Sequence, residues 1–356
     1  MKVGIIGLPQ TGKKTLFQIL TGNEITEPSK AFKPVPGTAD ILDSRFNTLV
    51  DMYEPKKQVK ARIDLVLLPK MEAETIARGD IFKDIADMDA ICHLVRAFED
   101  DAIYHAEGSV DAIRDFEMVN SELVMHDQIF VEKRMERLEA MVKKIKDEDQ
   151  QKELVLMNRL KDHLEQELPL RLIELNEEEE KLIRSYPFIT RKKLVIAVNV
   201  SEEDLGNEEL LAGFKESCDR LTIEVMLVSA KVEAEIAMLD TEEEKAEFLE
   251  DMGIKATALE TLTRLCLTSL NLISFFTVGK DEVRQWLVRE NSKAPVAAGV
   301  IHSDLERGFI RAEVFTYDEL IDLGSETELK KNGKFYVEGK EYIVKDGDIL
   351  NIRFSV

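Results

Sequence analysis

Lys2-Val3-Gly4-Ile5-Ile6-Gly7-Leu8-Pro9-Gln10-Thr11-Gly12-Lys13-Lys14-Thr15-Leu16-Phe17-Gln18-Ile19-Leu20 decides the fold. A short apolar strand runs into a Gly-x-x-x-x-Gly-Lys turn, and a helical pattern starts at once. That is the context a phosphate-binding loop requires. Backbone N–H groups wrap the phosphates, Lys13 reaches the β and γ oxygens, and the helix N-terminus adds its dipole. Gly7, Pro9, Gln10, Thr11, Gly12, Lys13, Lys14 and Thr15 are therefore candidate nucleotide-binding residues. One position departs from the pattern. The residue after the lysine should offer a hydroxyl to Mg²⁺, and here it is Lys14. Thr15 has a hydroxyl, but one step along a helix turns it by about 100°, so it cannot simply substitute.

Further apolar runs follow at 63–68, 90–95, 194–198 and 224–228. Continuous runs of this kind suit strands buried on both faces, and helical patterns lie between several of them. The expected class is α/β, a doubly wound, mostly parallel sheet. Two short motifs sit at strand ends in the order that nucleotide sites use. Asn199-Val200-Ser201-Glu202 stands where guanine-binding proteins carry Asn-Lys-x-Asp, and Ser229-Ala230-Lys231 matches a loop that packs on the base. With Glu in place of Asp and no Lys to cover the base, guanine recognition is weakened. Asn199, Glu202, Ser229, Ala230 and Lys231 join the candidate binding residues.

Between about 117 and 185 the strand–helix alternation stops. The segment has no glycine and no proline before Pro169. Met118, Leu123, Ile129, Met135, Leu138, Met141, Val142 and Ile145 recur at helical spacing, and Leu154, Leu156, Leu160, Leu164 and Leu168 form a second run after the polar 146–151. Two readings stay open: an antiparallel, coiled-coil-like hairpin, or a stripe that packs on the main domain. After Phe275 the texture becomes that of a small α+β module, with expected strands at 335–337, 341–344 and 349–354 separated by Asn-Gly, Glu-Gly and Asp-Gly turns.

The chain has 356 residues, 48 basic against 70 acidic, for a net charge of −22. That excludes a basic body that binds nucleic acid over its whole surface. Residues 1–60 nevertheless carry nine basic against six acidic side chains, so a local phosphate site is compatible. Cys92, Cys218 and Cys266 are too scattered for a disulfide framework or a zinc site, and no metal site is expected from them. No signal-peptide core and no run of about 18 apolar residues is present, so we expect a soluble, cytoplasmic monomer with no membrane contact.

Together, 7–15, His93–Glu99, 199–202, 229–239 and 299–356 resemble the YchF-type, Obg-like ATPases, a translation-factor class of P-loop NTPase, over essentially the full length. The stretches 298–312 and 342–348 are especially specific. The resemblance implies a P-loop G domain (1–116 and 186–274), an inserted antiparallel helical hairpin (117–185) and a C-terminal TGS domain of the ubiquitin-like β-grasp type (275–356). It implies ATP in preference to GTP, through Asn199 and Glu202, and a partner on the ribosome or ribosomal RNA, met by the TGS domain and the hairpin. It also marks His105 as a flexible-loop histidine that orients the attacking water, against the alternative of an exposed loop histidine with no catalytic role.

The departures concern the metal. The family's Asp-x-x-Gly aligns with Leu67-Leu68-Pro69-Lys70, and a shifted register would bring Asp64 near instead. Neither offers the glycine. The second-switch stretch 71–80 lacks its glycines, and 27–37 matches the first switch poorly. Both protein contributions to Mg²⁺, a hydroxyl at 14 and a carboxylate at 67, are lost together, so Mg²⁺ is a doubtful cofactor. Lys14 either sets an ammonium near the vacated metal position or points to solvent from a site that binds nothing. The function expected is a purine-nucleotide-binding, translation-associated regulator with weak or lost hydrolysis. A slow working ATPase switch or a nucleotide-free scaffold are the alternatives. Lys330, Lys331, Lys334, Lys340 and Lys345 form the best candidate RNA patch.

Overall fold

A computed structural model describes residues 1–25, 33–143 and 147–355. Its strands are β1 (Lys2–Ile6), β2 (Val35–Asp40), β3 (Lys57–Val59), β4 (Arg62–Leu67), β5 (Ala90–Arg96), β6 (Lys193–Asn199), β7 (Glu224–Val228), β8 (Leu272–Thr277), β9 (Glu282–Arg289), β10 (Phe309–Thr316), β11 (Tyr336–Glu338) and β12 (Asp348–Phe354). They make two six-stranded sheets, ordered β2-β4-β1-β5-β6-β7 and β11-β10-β12-β8-β9-β3. Two compact units result: Met1–Ala39 with Asp64–Leu262, and Asp40–Ile63 with Thr263–Val356.

In the first unit the central strands pair in parallel, β4 with β1, β1 with β5, β5 with β6 and β6 with β7. Every residue of β5 is buried, as is all of β6 after Lys193. This explains why the sequence shows unbroken apolar runs there, since a strand covered on both faces has no polar face to alternate with. All five runs read from the sequence are strands. Val35-Pro-Gly-Thr-Ala-Asp of β2 carried no such signal, because its Pro and Gly read as turn residues.

The glycine-free insertion is a 31-residue helix, Ala112–Val142, followed by a 17-residue helix, Glu148–Leu164. The long helix packs on different partners at different turns. Phe116, Val119 and Leu123 join the core of the sheet, whereas Val124, Val131 and Leu138 pack with Leu156, Leu160 and Leu164 of the second helix. The expected stripe was partly out of phase, since Ile129 and Met141 are exposed and Ile145 lies outside the described residues. The buried face passes instead through Asp127. That carboxylate is fully buried and accepts from the backbone N–H groups of Ile189 and Thr190 and from the Thr190 hydroxyl. A charge on the buried face disguises the helix phase in the sequence, and full hydrogen bonding is what makes its burial tolerable.

In the second unit, helix Ser44–Tyr53 contributes Phe46 and Leu49 to a core with Phe276, Val283 and Phe315. Residues 40–63 thus cluster with the C-terminal region rather than with the nucleotide-type sheet. Two expected strands are present as β11 and β12. The third, 341–344, is a turn with a single isolated bridge from Ile343 to Lys293. Asp348 explains it: its Oδ2 accepts from the Tyr342 hydroxyl and from Lys345 N–H, which curls the segment.

Candidate nucleotide site

The loop between β1 and helix Lys13–Thr21 is held by two glycines that nothing else could replace. At Gly7 (φ 147°) a Cβ would lie 2.3 Å from the Leu94 carbonyl oxygen of β5. At Gly12 (φ 90°) it would lie 2.4 Å from the Asn199 side-chain nitrogen. The Lys13 ammonium folds into the loop and donates to the carbonyls of Gly7 (2.7 Å) and Leu8 (2.5 Å). Burial, and then the nearby positive charge of Lys70, bring its pKa down to about 7, with Glu72 opposing. Behind it on β5, His93 is buried and held neutral, its pKa down to about 3 through burial and the Lys13 charge.

Asn199, at the end of β6, ties the loops together. Its amide nitrogen donates to the Thr11 carbonyl (3.0 Å) and its amide oxygen accepts from Ala230 N–H (3.0 Å). The phosphate loop and the Ser229-Ala230-Lys231 loop are thereby fixed to one side chain, although they are far apart in sequence. Both polar atoms of Asn199 already have partners within the protein. Glu202 and Lys231 face each other at 3.4 Å.

Two of the cavities beside the loop share Gln10, Gly12 and Thr15 in their walls. The first, about 830 Å³, is walled by Asn199, Glu202, Ser229, Lys231, Phe98 and Met238. It has the size and mixed polarity of a pocket for a small organic ligand. The second, about 500 Å³, is walled by Lys13, Lys14, Lys33, Lys70 and Leu67. Leu67 lies at the loop end of β4, opposite Ile5, whereas Asp64 lies opposite Lys2 at the other end. Three residues of strand, roughly 10 Å, separate Asp64 from that position, so the shifted register is excluded. Among the described residues no cluster of three His, Cys, Asp or Glu side chains could hold a metal. The first-switch segment 27–37 lies in part outside the described residues.

His105 is not an exposed loop histidine. It is 7% exposed, with Nε2 2.9 Å from Asp115 Oδ2 and Nδ1 accepting from Glu107 N–H. The hydrogen-bond pattern puts the proton on Nε2. Arg114 holds the other oxygen of the Asp115 carboxylate. His105 borders neither cavity, and the ring fastens its loop to the start of the long helix. His302 likewise caps the short helix Ser303–Arg307, accepting from Asp304 N–H.

Two contributors were missed from the sequence. Lys70 gave no signal beyond standing where a glycine was expected. Arg96 is fully buried and donates to the carbonyls of Phe98 (3.0 Å) and Ile103 (3.1 Å), both of which border the larger cavity. Its signal was present: an arginine closing the apolar run 90–95 must find buried acceptors.

The expected basic patch is partly paired. Lys330, Lys331 and Lys334 pair with Glu326, Glu328 and Glu319, at 3.7, 2.6 and 3.2 Å. Three of its five charges are therefore offset locally.

The family model "YchF-GTPase_C: Protein of unknown function (DUF933)" matches residues 272–355. The ribosome-binding ATPase YchF of Bacillus subtilis is 40% identical over 367 residues, spanning all of this chain and all of that one. The Obg-like ATPase 1 of Caenorhabditis elegans is 35% identical, over all of this chain and 92% of its own length. Among solved structures, the Schizosaccharomyces pombe YchF GTPase matches with a TM-score of 0.84 at 31% identity, covering 99% of this chain and 97% of that one.

Proposed function

The chain belongs to the YchF family, and from that premise we propose that it binds purine nucleotides, ATP in preference to GTP, and acts at the ribosome with weak or lost hydrolysis. One observation carries the binding: Asn199 joins the Lys13 loop to the Ser229-Ala230-Lys231 loop at the mouth of a cavity large enough for a base and ribose. Gly7 to Thr15 cradle the phosphates, and Glu202 with Lys231 borders the base. The Glu202 carboxylate suits the exocyclic amine of adenine, whereas guanine would need a shorter Asp to take two N–H groups at once.

Weak hydrolysis is supported by Lys14 and Leu67, which put an ammonium and an alkyl side chain at the two positions where a hydroxyl and a carboxylate are expected to hold Mg²⁺ against the transferring phosphoryl group. The buried His105 supports the same reading, because its imidazole is already committed to Asp115. The name of the Bacillus relative, a ribosome-binding ATPase, supports a ribosomal partner. We assign that contact to a TGS domain at 275–356 and to the hairpin at 117–185, the hairpin read as coiled-coil-like. Among the described residues no helix is long and apolar enough to cross a membrane, and we place the protein in the cytoplasm as a monomer.

Calorimetric titration tests the nucleotide reading: ATP should bind more tightly than GTP, and no binding by either leaves only a scaffold. Lys14→Ser alone should leave phosphate release at background, since Leu67 still lacks a carboxylate. A robust ATPase from that single change would overturn the account of lost hydrolysis.

A further inference from the structure

Mg²⁺ is the cation this fold family implies, and the residues present do not fit it. Mg²⁺ is a hard, six-coordinate ion held by carboxylate or hydroxyl oxygens together with phosphates. Among the described residues no carboxylate lines the cavity beside the loop, and leucine and lysine stand at the two expected ligand positions. Thr11 is buried and its hydroxyl already donates to the Leu8 carbonyl. Four lysines line it instead: Lys13, Lys14, Lys33 and Lys70.

We infer that this cavity is a metal-free polyphosphate site, in which the Lys14 and Lys70 ammonium groups stand in for the divalent cation, so that Mg²⁺ weakens nucleotide binding instead of supporting it. The inference rests on the nucleotide reading above and adds the ionic form of the ligand. Like charges concentrated in a half-enclosed space attract the most highly charged anion available. Free ATP carries roughly twice the negative charge of its Mg²⁺ complex, and the complex would also bring two further positive charges among the lysines. Among the described residues Lys14, Lys33 and Lys70 have no carboxylate partner, unlike Lys330, Lys331 and Lys334, so their charge is available to a ligand. Lys13 and Lys70 line the same cavity, and the Lys70 charge helps to lower the pKa of the buried Lys13. Glu72, from the following segment, is the acidic group that faces them, and it is absent from the cavity wall.

The test is ATP affinity of the full chain, measured by calorimetry in EDTA and again in excess Mg²⁺. Binding should be several-fold tighter in EDTA. Lys14→Ala and Lys70→Ala, both at exposed side chains and expected to leave the melting temperature unchanged, should each lose about tenfold in EDTA and much less in Mg²⁺. The pair Lys14→Ser with Leu67→Asp should reverse the sign of the Mg²⁺ effect. Equal or tighter binding in Mg²⁺ overturns this inference and leaves the nucleotide reading standing. No binding under either condition overturns both.

Discussion

The two cavities on either side of the phosphate loop have gone separate ways. On the base side the polar groups are partnered within the protein. Asn199 links Thr11 to Ala230, Arg96 clamps the carbonyls of Phe98 and Ile103, and Glu202 meets Lys231. On the phosphate side, among the described residues, the lysines at 14, 33 and 70 have no carboxylate partners, and leucine stands in place of an acid. A partnered network is a property of the folded protein alone. An unpartnered cluster of one sign is completed only by something from outside.

The comparison breaks first at Asn199. Asn199→Ala strands the Thr11 carbonyl and the Ala230 N–H in a buried place, and should cost about 2–3 kcal/mol in urea denaturation. ATP affinity should fall with it, because both loops lose their tether. Unchanged stability would show that the base side is not built as a unit.

A smaller effect sharpens the phosphate side. The Lys13 pKa falls from 10.5 to about 7 on folding. Between those values the unfolded chain holds a proton that the folded chain has released, so stability rises with pH across that window. The penalty is complete below about 7 and disappears as pH approaches that of free lysine. The difference in stability between the nucleotide-free protein and Lys13→Met should therefore shift in favour of the native chain from pH 7 to pH 10. A difference that does not change with pH would remove the buried ammonium from the account.

The smallest effect contrasts paired lysines with unpaired ones. Lys330→Gln, Lys331→Gln and Lys334→Gln together should leave ribosome co-sedimentation nearly unchanged. Each charge is already met by glutamate, and exposed pairs of this kind contribute roughly 0–1 kcal/mol. Lys340 and Lys345 have no such pairing among the described residues, and changing them should weaken any RNA contact in a salt-dependent way. Strong loss from the paired set would restore the whole patch as an RNA surface.

What the sequence discloses depends on how local each signal is. The loop was legible because its glycines, lysine and flanking strand are contiguous. The five strands were legible because burial on both faces writes itself as an apolar run. Asp127 blurred the phase of the long helix, since its partners at 189 and 190 are more than sixty residues away. The burial of His105 was hidden for a similar reason: Asp115 reaches it only once the long helix has formed. The tether between Thr11 and Asn199 spans 188 residues, and no window on the sequence could supply it.

The buried Asp127 has a mechanical consequence. It bolts the long helix to Thr190, three residues before β6 begins, and the other end of β6 carries Asn199. The seven-residue strand β6, roughly 23 Å long, therefore separates the turn that holds Asp127 from the amide that ties the Lys13 loop. The long helix is a beam with a fixed foot, and its foundation is the same strand whose far end carries Asn199.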